Sequence, residues 1–143
     1  MLLGEYEHTV DAKNRVTLPA RFRAAFAQGV FLARGVDRCV ALYTPESWER
    51  HIAGRLEGMD QMSRQTRDMR RLIYAGAMDA QLDRQGRIVL SPALIQHAGL
   101  GHEVVVAGLL DHAEIWDRAA WKARIEEVQN NAELVAEHLA ESD

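Results

Sequence analysis

The sequence holds one cysteine, Cys39, among 143 residues, so no disulfide can form within the chain. Its flanks, Arg38-Cys39-Val40-Ala41-Leu42-Tyr43, make it a small buried strand residue of a reducing compartment rather than a redox centre. The six histidines are scattered, with no pair at metal-ligand spacing and no cysteine partner, which argues against zinc. A glycine-rich phosphate loop, a nucleophile elbow and a catalytic-cysteine signature are all missing, and no metal or other cofactor is called for. Nowhere do about 18 apolar residues run together, and the start, Met1-Leu2-Leu3-Gly4-Glu5, lacks the basic residues and apolar stretch of a signal peptide. These absences lead to the expectation of a cytoplasmic chain with no membrane partner and no small-molecule substrate.

A chain of this length forms one ordinary domain or two very small ones sharing a core, and buries roughly 68–70% of its extended-chain surface. Its net charge of −4 argues against a general nucleic-acid binder, but the charge is unevenly spread. Residues 1–76 carry 12 basic and 9 acidic side chains, whereas residues 77–143 carry 5 and 12. The first half is therefore the better surface for a polyanion.

The chain also contains itself twice. Tyr6-Glu7-His8-Thr9-Val10-Asp11 lies over Met78-Asp79-Ala80-Gln81-Leu82-Asp83 at an offset of 72, and Arg15-Val16 over Arg87-Ile88. After one inserted residue the offset becomes 73, which matches Pro19 with Pro92, Gly35 with Gly108, Leu42-Tyr43 with Ile115-Trp116, Trp48 with Trp121 and Ile52 with Ile125. Each copy begins with an alternating strand, then a tight turn, Asp11-Ala12-Lys13-Asn14-Arg15 or Asp83-Arg84-Gln85-Gly86-Arg87. The fourth turn position holds Asn14 or Gly86, the residue types that best tolerate positive φ. A second short strand (15–18; 87–90) leads into a helix opened by Pro19 or by Ser91-Pro92, the second ending at Gly99. Two further strands (30–34 with 39–43; 103–107 with 113–116) and a longer helix starting near Thr44-Pro45 or Asp117 complete each copy.

The predicted fold class is α+β, with modules at 5–47 and 76–120, connecting helices over 48–75 and a C-terminal helix over 121–143. A module this short cannot bury both faces of its own sheet, so the two should interleave about a pseudo-two-fold axis. The connecting helix over 61–75 sets Met62, Thr66, Met69 and Ile73 on one face and Arg64, Arg67 and Arg71 opposite. Those arginines, with Arg70, either extend a phosphate-contacting surface or pair with acids such as Asp68 and Glu57. In the C-terminal helix Ile125, Val128, Ala132, Val135 and Leu139 follow a coiled-coil rhythm, which packs within the chain or against a neighbouring subunit.

The turns are the most specific feature. Asp11 and Asp83 suit turn N–H groups, and Arg15 and Arg87 can pair with them across the hairpin. With Lys13, Arg21 and Arg23 around Arg15, the first copy forms a basic surface suited to phosphates and guanine edges, while the second has only Arg84 and Arg87. The first turn is thus expected to dominate, and the second to serve the shared core first. Two equivalent aspartates are similar in placement to an aspartic-protease dyad, but neither precedes Ser/Thr-Gly and a nearby arginine keeps each ionised; an enzyme is not expected.

At Asp11-Ala12-Lys13-Asn14-Arg15-Val16-Thr17-Leu18-Pro19-Ala20-Arg21-Phe22-Arg23 the sequence resembles the swapped-hairpin barrel DNA-binding module of the AbrB class (SpoVT-AbrB type). Two such modules, with Tyr43-Thr44-Pro45-Glu46-Ser47-Trp48 after the first and Glu114-Ile115-Trp116-Asp117 in the second, resemble the MraZ family over nearly the whole chain. The resemblance implies one pseudo-two-fold swapped-hairpin β-barrel. It also implies a nucleoid-associated repressor of the division and cell-wall gene cluster, its own gene included, that binds direct promoter repeats in double-stranded DNA as a ring-like homo-oligomer. Carried over by position, Arg15 and Arg87 are the motif arginines, with Lys13, Arg21, Arg23 and Arg84 beside them; Asn14 departs from the glycine usual there. The alternative is a protein-interaction module, since related barrels serve as antitoxin dimerisation domains.

Overall fold

The computed structural model describes residues 1–141. Eight strands form two antiparallel sheets. Six of them, β1 (Leu2–Thr9), β7 (Glu103–Leu110), β8 (His112–Asp117), β4 (Val40–Tyr43), β3 (Val30–Arg34) and β5 (Met78–Ala80), lie side by side in that order; β2 (Arg15–Thr17) and β6 (Arg87–Val89) form a separate two-stranded ribbon. The α+β class therefore holds, but the strands are not joined into one closed barrel. They stop short because each inner strand has only three residues before a proline-led helix takes over, α1 (Ala20–Arg23) after Pro19 and α5 (Pro92–Ala98) after Ser91.

Strand exchange ties the copies together. The long strand β1 of the first copy pairs only with β7 of the second, and β5 of the second pairs with β3 of the first. The pairs Val16–Ile88 in the ribbon and Ala41–Glu114 in the sheet join residues that are equivalent in the repeat, so a pseudo-two-fold axis passes through both. The repeat itself needs one correction. Leu32 lies between Met78 and Leu42, and Val106 occupies the equivalent place between Tyr6 and Ile115, which puts β3 and β7 one residue further apart than a constant spacing after Pro19 allows. The extra residue is absorbed in the hairpins: Gly35–Cys39 joins β3 to β4, whereas Asp111 alone separates β7 from β8.

One core serves both modules. Val16, Leu18, Phe22, Phe26, Val30, Leu32, Val40 and Leu42 pack with Ile88, Leu90, Leu94, Val104, Val106 and Ile115 between the six-stranded sheet on one side and the ribbon with α1 and α5 on the other. Tyr6, Val10, Met78, Ala80 and Leu82 close its margin, as the period-two pattern predicts, but are only partly buried. The helix starts behave as read: Ser91 Oγ accepts from the Leu94 N–H, Thr44 and Ser47 form a reciprocal cap, Asp117 accepts from Ala120, and Gly99 ends α5 in the left-handed region.

The other face of the sheet is covered from both ends. α2 (Pro45–Trp48), a π-helical stretch (Glu49–Ala53) and α3 (Gly54–Glu57) run on without a break, and α4 (Arg64–Ala75) returns beside them, burying Leu56 and Ile73 against Ala33. α6 (Arg118–Asn130) covers the second half. Trp48 meets Tyr43 edge-on with ring centroids 5.8 Å apart, and Trp121 meets Trp116 the same way at 5.7 Å, so the repeated tryptophans do equivalent work.

Two expectations fail here. Met62 precedes α4 and is 83% exposed, because the chain turns at 59–63 and the helix begins only at Arg64. The C-terminal segment is two helices, α6 and α7 (Ala132–Glu141), broken at Asn131. Past Ile125 the apolar rhythm finds no partner within the described chain, and Val128, Leu134, Val135 and Leu139 face solvent. Among the described residues no helix is long and apolar enough to cross a membrane.

Candidate nucleic-acid interface

Both turns are built by the same hydrogen bonds. The amide of Asp11 donates to the Arg15 carbonyl at 3.0 Å and that of Asn14 to the Asp11 carbonyl at 3.0 Å; Asp83 with Arg87 and Gly86 with Asp83 repeat both distances. Asp11 Oδ1 accepts from the amides of Lys13 (2.9 Å) and Arg15 (2.8 Å), and Asp83 Oδ1 from those of Gln85 and Arg87, both at 2.9 Å. Asn14 at φ 60° and Gly86 at φ 76° supply the left-handed residue the turn needs. The turns are also latched together: the Leu18 amide donates to the Gly86 carbonyl at 2.9 Å and the Leu90 amide to that of Asn14 at 2.8 Å.

Each aspartate then fixes its arginine. Arg15 Nε donates to Asp11 Oδ2 and Arg87 Nε to Asp83 Oδ2, both at 2.7 Å. The amide hydrogen bond from Arg15 and then its guanidinium hold the Asp11 carboxyl below the usual carboxylate range, and Arg87 does the same for Asp83. Backbone donors thus contribute more than the guanidinium charge, which alone was expected to keep these acids ionised. The terminal nitrogens of both arginines make no hydrogen bond to any described residue.

Position follows from strand alternation. Val16 and Ile88 point into the core, so Arg15, Thr17, Arg87 and Val89 share the outer face of the ribbon, with Arg15 opposite Val89 and Thr17 opposite Arg87. Lys13 and Arg84 stand exposed at the two turn tips. Arg23 donates to the Leu18 carbonyl at 3.2 Å and lies so close to Gly86 that a Cβ there would overlap its side chain. Arg23, assigned by the sequence to the first turn, therefore borders the second. Burial and then Arg23 hold the His8 imidazole below its ordinary range, so it stays neutral beside this basic group at pH 7. Arg21 is exposed and reaches the Tyr6 hydroxyl at 3.5 Å, at the rim of the cluster.

The sequence brought forward the six basic residues but not Thr17 and Val89, which the ribbon places between the two arginines. Their signal was available in the period-two alternation of the inner strands. The connecting-helix arginines lie on the opposite side of the six-stranded sheet, and three of the four are engaged locally: Arg70 with Glu57 and over the Tyr74 ring, Arg71 with Asp68 at 2.9 Å, and Arg67 with the Met62 carbonyl, while Arg64 is exposed. Cys39 is fully buried, and burial followed by Glu114 pushes its thiol well above the ordinary range.

Comparison with known proteins agrees with the two-copy organisation. The family model described as "MraZ protein, putative antitoxin-like" matches twice, over residues 1–72 and 73–141. A protein of Roseiflexus castenholzii named transcriptional regulator MraZ is 43% identical over 141 residues, covering 99% of this chain and 98% of its own. Proteins of the same name from Herpetosiphon aurantiacus (43% identical; 98% of this chain, 97% of its own) and Thermomicrobium roseum (40%; 98% of each) are similar throughout. With both halves matched and relatives aligned end to end, the chain belongs to the MraZ family.

Proposed function

We propose that the chain is a transcriptional regulator that binds double-stranded DNA through the outer face of the β2–β6 ribbon. The observation that carries this reading is the pair Arg15 and Arg87, held on one ribbon face with their terminal nitrogens unengaged. A two-stranded ribbon fits the major groove, about 12 Å wide, and a guanidinium reads guanine O6 and N7 with two parallel hydrogen bonds. Fixing Nε on an aspartate lowers the conformational cost of presenting that edge. Lys13, Arg84, Arg21 and Arg23 border the face where phosphates would lie and add sequence-independent affinity. The exchange of β1 and β5 between copies supports a swapped-hairpin reading of modules 5–47 and 76–120, with residues 48–75 and 121–143 as their helical supports.

One ribbon gives few contacts. Nonspecific binding alone is about 10⁻⁴–10⁻⁶ M and steeply salt-dependent, so promoter direct repeats met by several subunits would gain roughly 10²–10⁴ in avidity. The relatives' name supports a transcriptional regulator, and the resemblance of the turn motifs extends the proposal to a repressor of the division and cell-wall genes, its own included, acting on the nucleoid as a ring-like homo-oligomer. The uncovered apolar residues of α7 offer such an assembly a contact.

The test is a mobility-shift titration with the DNA upstream of the chain's own gene, run beside a sizing measurement. Arg15→Ala is expected to weaken the shift by about 1–3 kcal/mol in affinity while keeping the fold and subunit number. Wild-type affinity and salt slope in that variant would remove the first turn from the interface. The antitoxin-like family description supports a second reading, a protein-interaction module; a stoichiometric protein partner with no DNA retained at moderate salt would favour it.

A further inference from the structure

The pseudo-two-fold axis through Val16 and Ile88 exchanges Arg15 with Arg87 and Thr17 with Val89. A ribbon carrying only the two arginines would look the same to a DNA duplex read in either direction. The outer face departs from that symmetry at one equivalent pair: Thr17, half-buried and bearing a hydroxyl, against Val89, 51% exposed and wholly apolar. Its turn tips differ as well, with Lys13 beside Ala12 at one end and Arg84 beside Gln85 at the other.

An apolar side chain directly across from Arg15 and two residues along the strand from Arg87, on a groove-facing surface, has one specific partner there. In the major groove the only apolar mark on a base edge is the thymine C5-methyl, which Val89 can contact, while the Thr17 hydroxyl accepts or donates to several base edges. We propose that Val89 is a specificity-determining residue that reads a thymine methyl on one side of the ribbon's axis and so fixes the direction in which each module lies on its site. Each module's site is then asymmetric. This rests on the DNA-binding reading above.

The experiment selects duplexes from a randomised library with the full-length chain, then replaces each thymine of the selected sequence with deoxyuridine, which removes only the methyl. One thymine is expected to lose about fourfold in affinity on replacement, the share of one methylene-sized group. Val89→Ala should abolish that thymine-over-deoxyuridine difference, and Val89→Thr, which makes the Thr17–Val89 pair alike while the turn tips still differ, should weaken the fixed direction of the selected sites. Val89 is exposed, so both variants should melt as the wild type does. If Val89→Ala keeps the full difference at every thymine while Arg15→Ala weakens binding, the proposal fails and the DNA reading stands. If the wild type enriches no sequence from the library, both fail.

Discussion

The turns at Asp11–Arg15 and Asp83–Arg87 differ at three of their five residues, yet their hydrogen-bond lengths agree to within 0.1 Å. The shared residues, aspartate first and arginine last, build the turn; the second and third residues vary because they are exposed, and the fourth must tolerate positive φ, with Gly86 also leaving room for Arg23. Charge around the turns is where they part. The first carries Lys13, the second Arg84 and, across the ribbon, Arg23 of the other module. Counting charges along the sequence assigns the basic surface to the first turn, whereas the fold distributes it over both.

The strongest way to break the comparison is to attack what both turns rest on. Ile88→Ala, in the pair on the pseudo-two-fold axis, should cost about 2–5 kcal/mol in urea unfolding. It should weaken both modules in a single transition, since they share one core. Two separate transitions would mean that each module holds a core of its own.

Next in size are the arginines themselves. Arg15→Ala and Arg87→Ala should each weaken specific DNA binding by about 1–3 kcal/mol, measured by fluorescence anisotropy at fixed salt. Near-equal losses would show that the ribbon is used as a unit; a loss confined to Arg15→Ala would return the dominant role to the first turn.

The fourth turn position sharpens the contrast more gently. Gly86→Ala should destabilise the chain by about 1–2 kcal/mol, because alanine must adopt φ near 76° and displace Arg23. Asn14→Gly, at φ 60°, should change thermal stability by a few tenths of a kcal/mol at most. Equal effects at the two positions would mean that the positive φ at Gly86 is not held in solution.

The smallest effect is on pH dependence. Both aspartates have folded-state pKa values below the ordinary 3.8, so their contribution is complete above that value and fades as pH falls through the lower folded one. Asp11 and Asp83 carboxyl resonances should therefore each show a titration midpoint below 3.8. A midpoint above it for either would mean that its turn is open in solution.

Much of this architecture could be read along the chain because its causes are local. Alternation set the strands, Ser91, Thr44 and Asp117 set helix starts, Gly99 set an end, and the Asp-to-Arg spacing set the turns. Pairing partners were legible only through the repeat, which predicted interleaving but not that β3 and β7 slip by a residue, since a hairpin can absorb the difference at little cost. Met62 and the expectation of one unbroken C-terminal helix misled because periodicity reports which residues would share a helix face, not how far the helix extends; of the two packings offered for the C-terminal seam, the one within the chain fails. Of the connecting-helix arginines, the sequence left two roles open, and the position of α4 on the far side of the sheet from the ribbon, with Glu57 and Asp68 in reach, chose the local pairing.

The sequence alone thus determined the two modules, their turns and the identity of the two arginines, since each depends on contacts within a few residues. Only the tertiary structure decided that Arg15 and Arg87 share one face, that Thr17 and Val89 lie between them and that Arg23 serves the other module's turn. These facts depend on pairing strands some 70 residues apart, a register fixed by the burial of Val16 and Ile88 in a core that neither module can form alone.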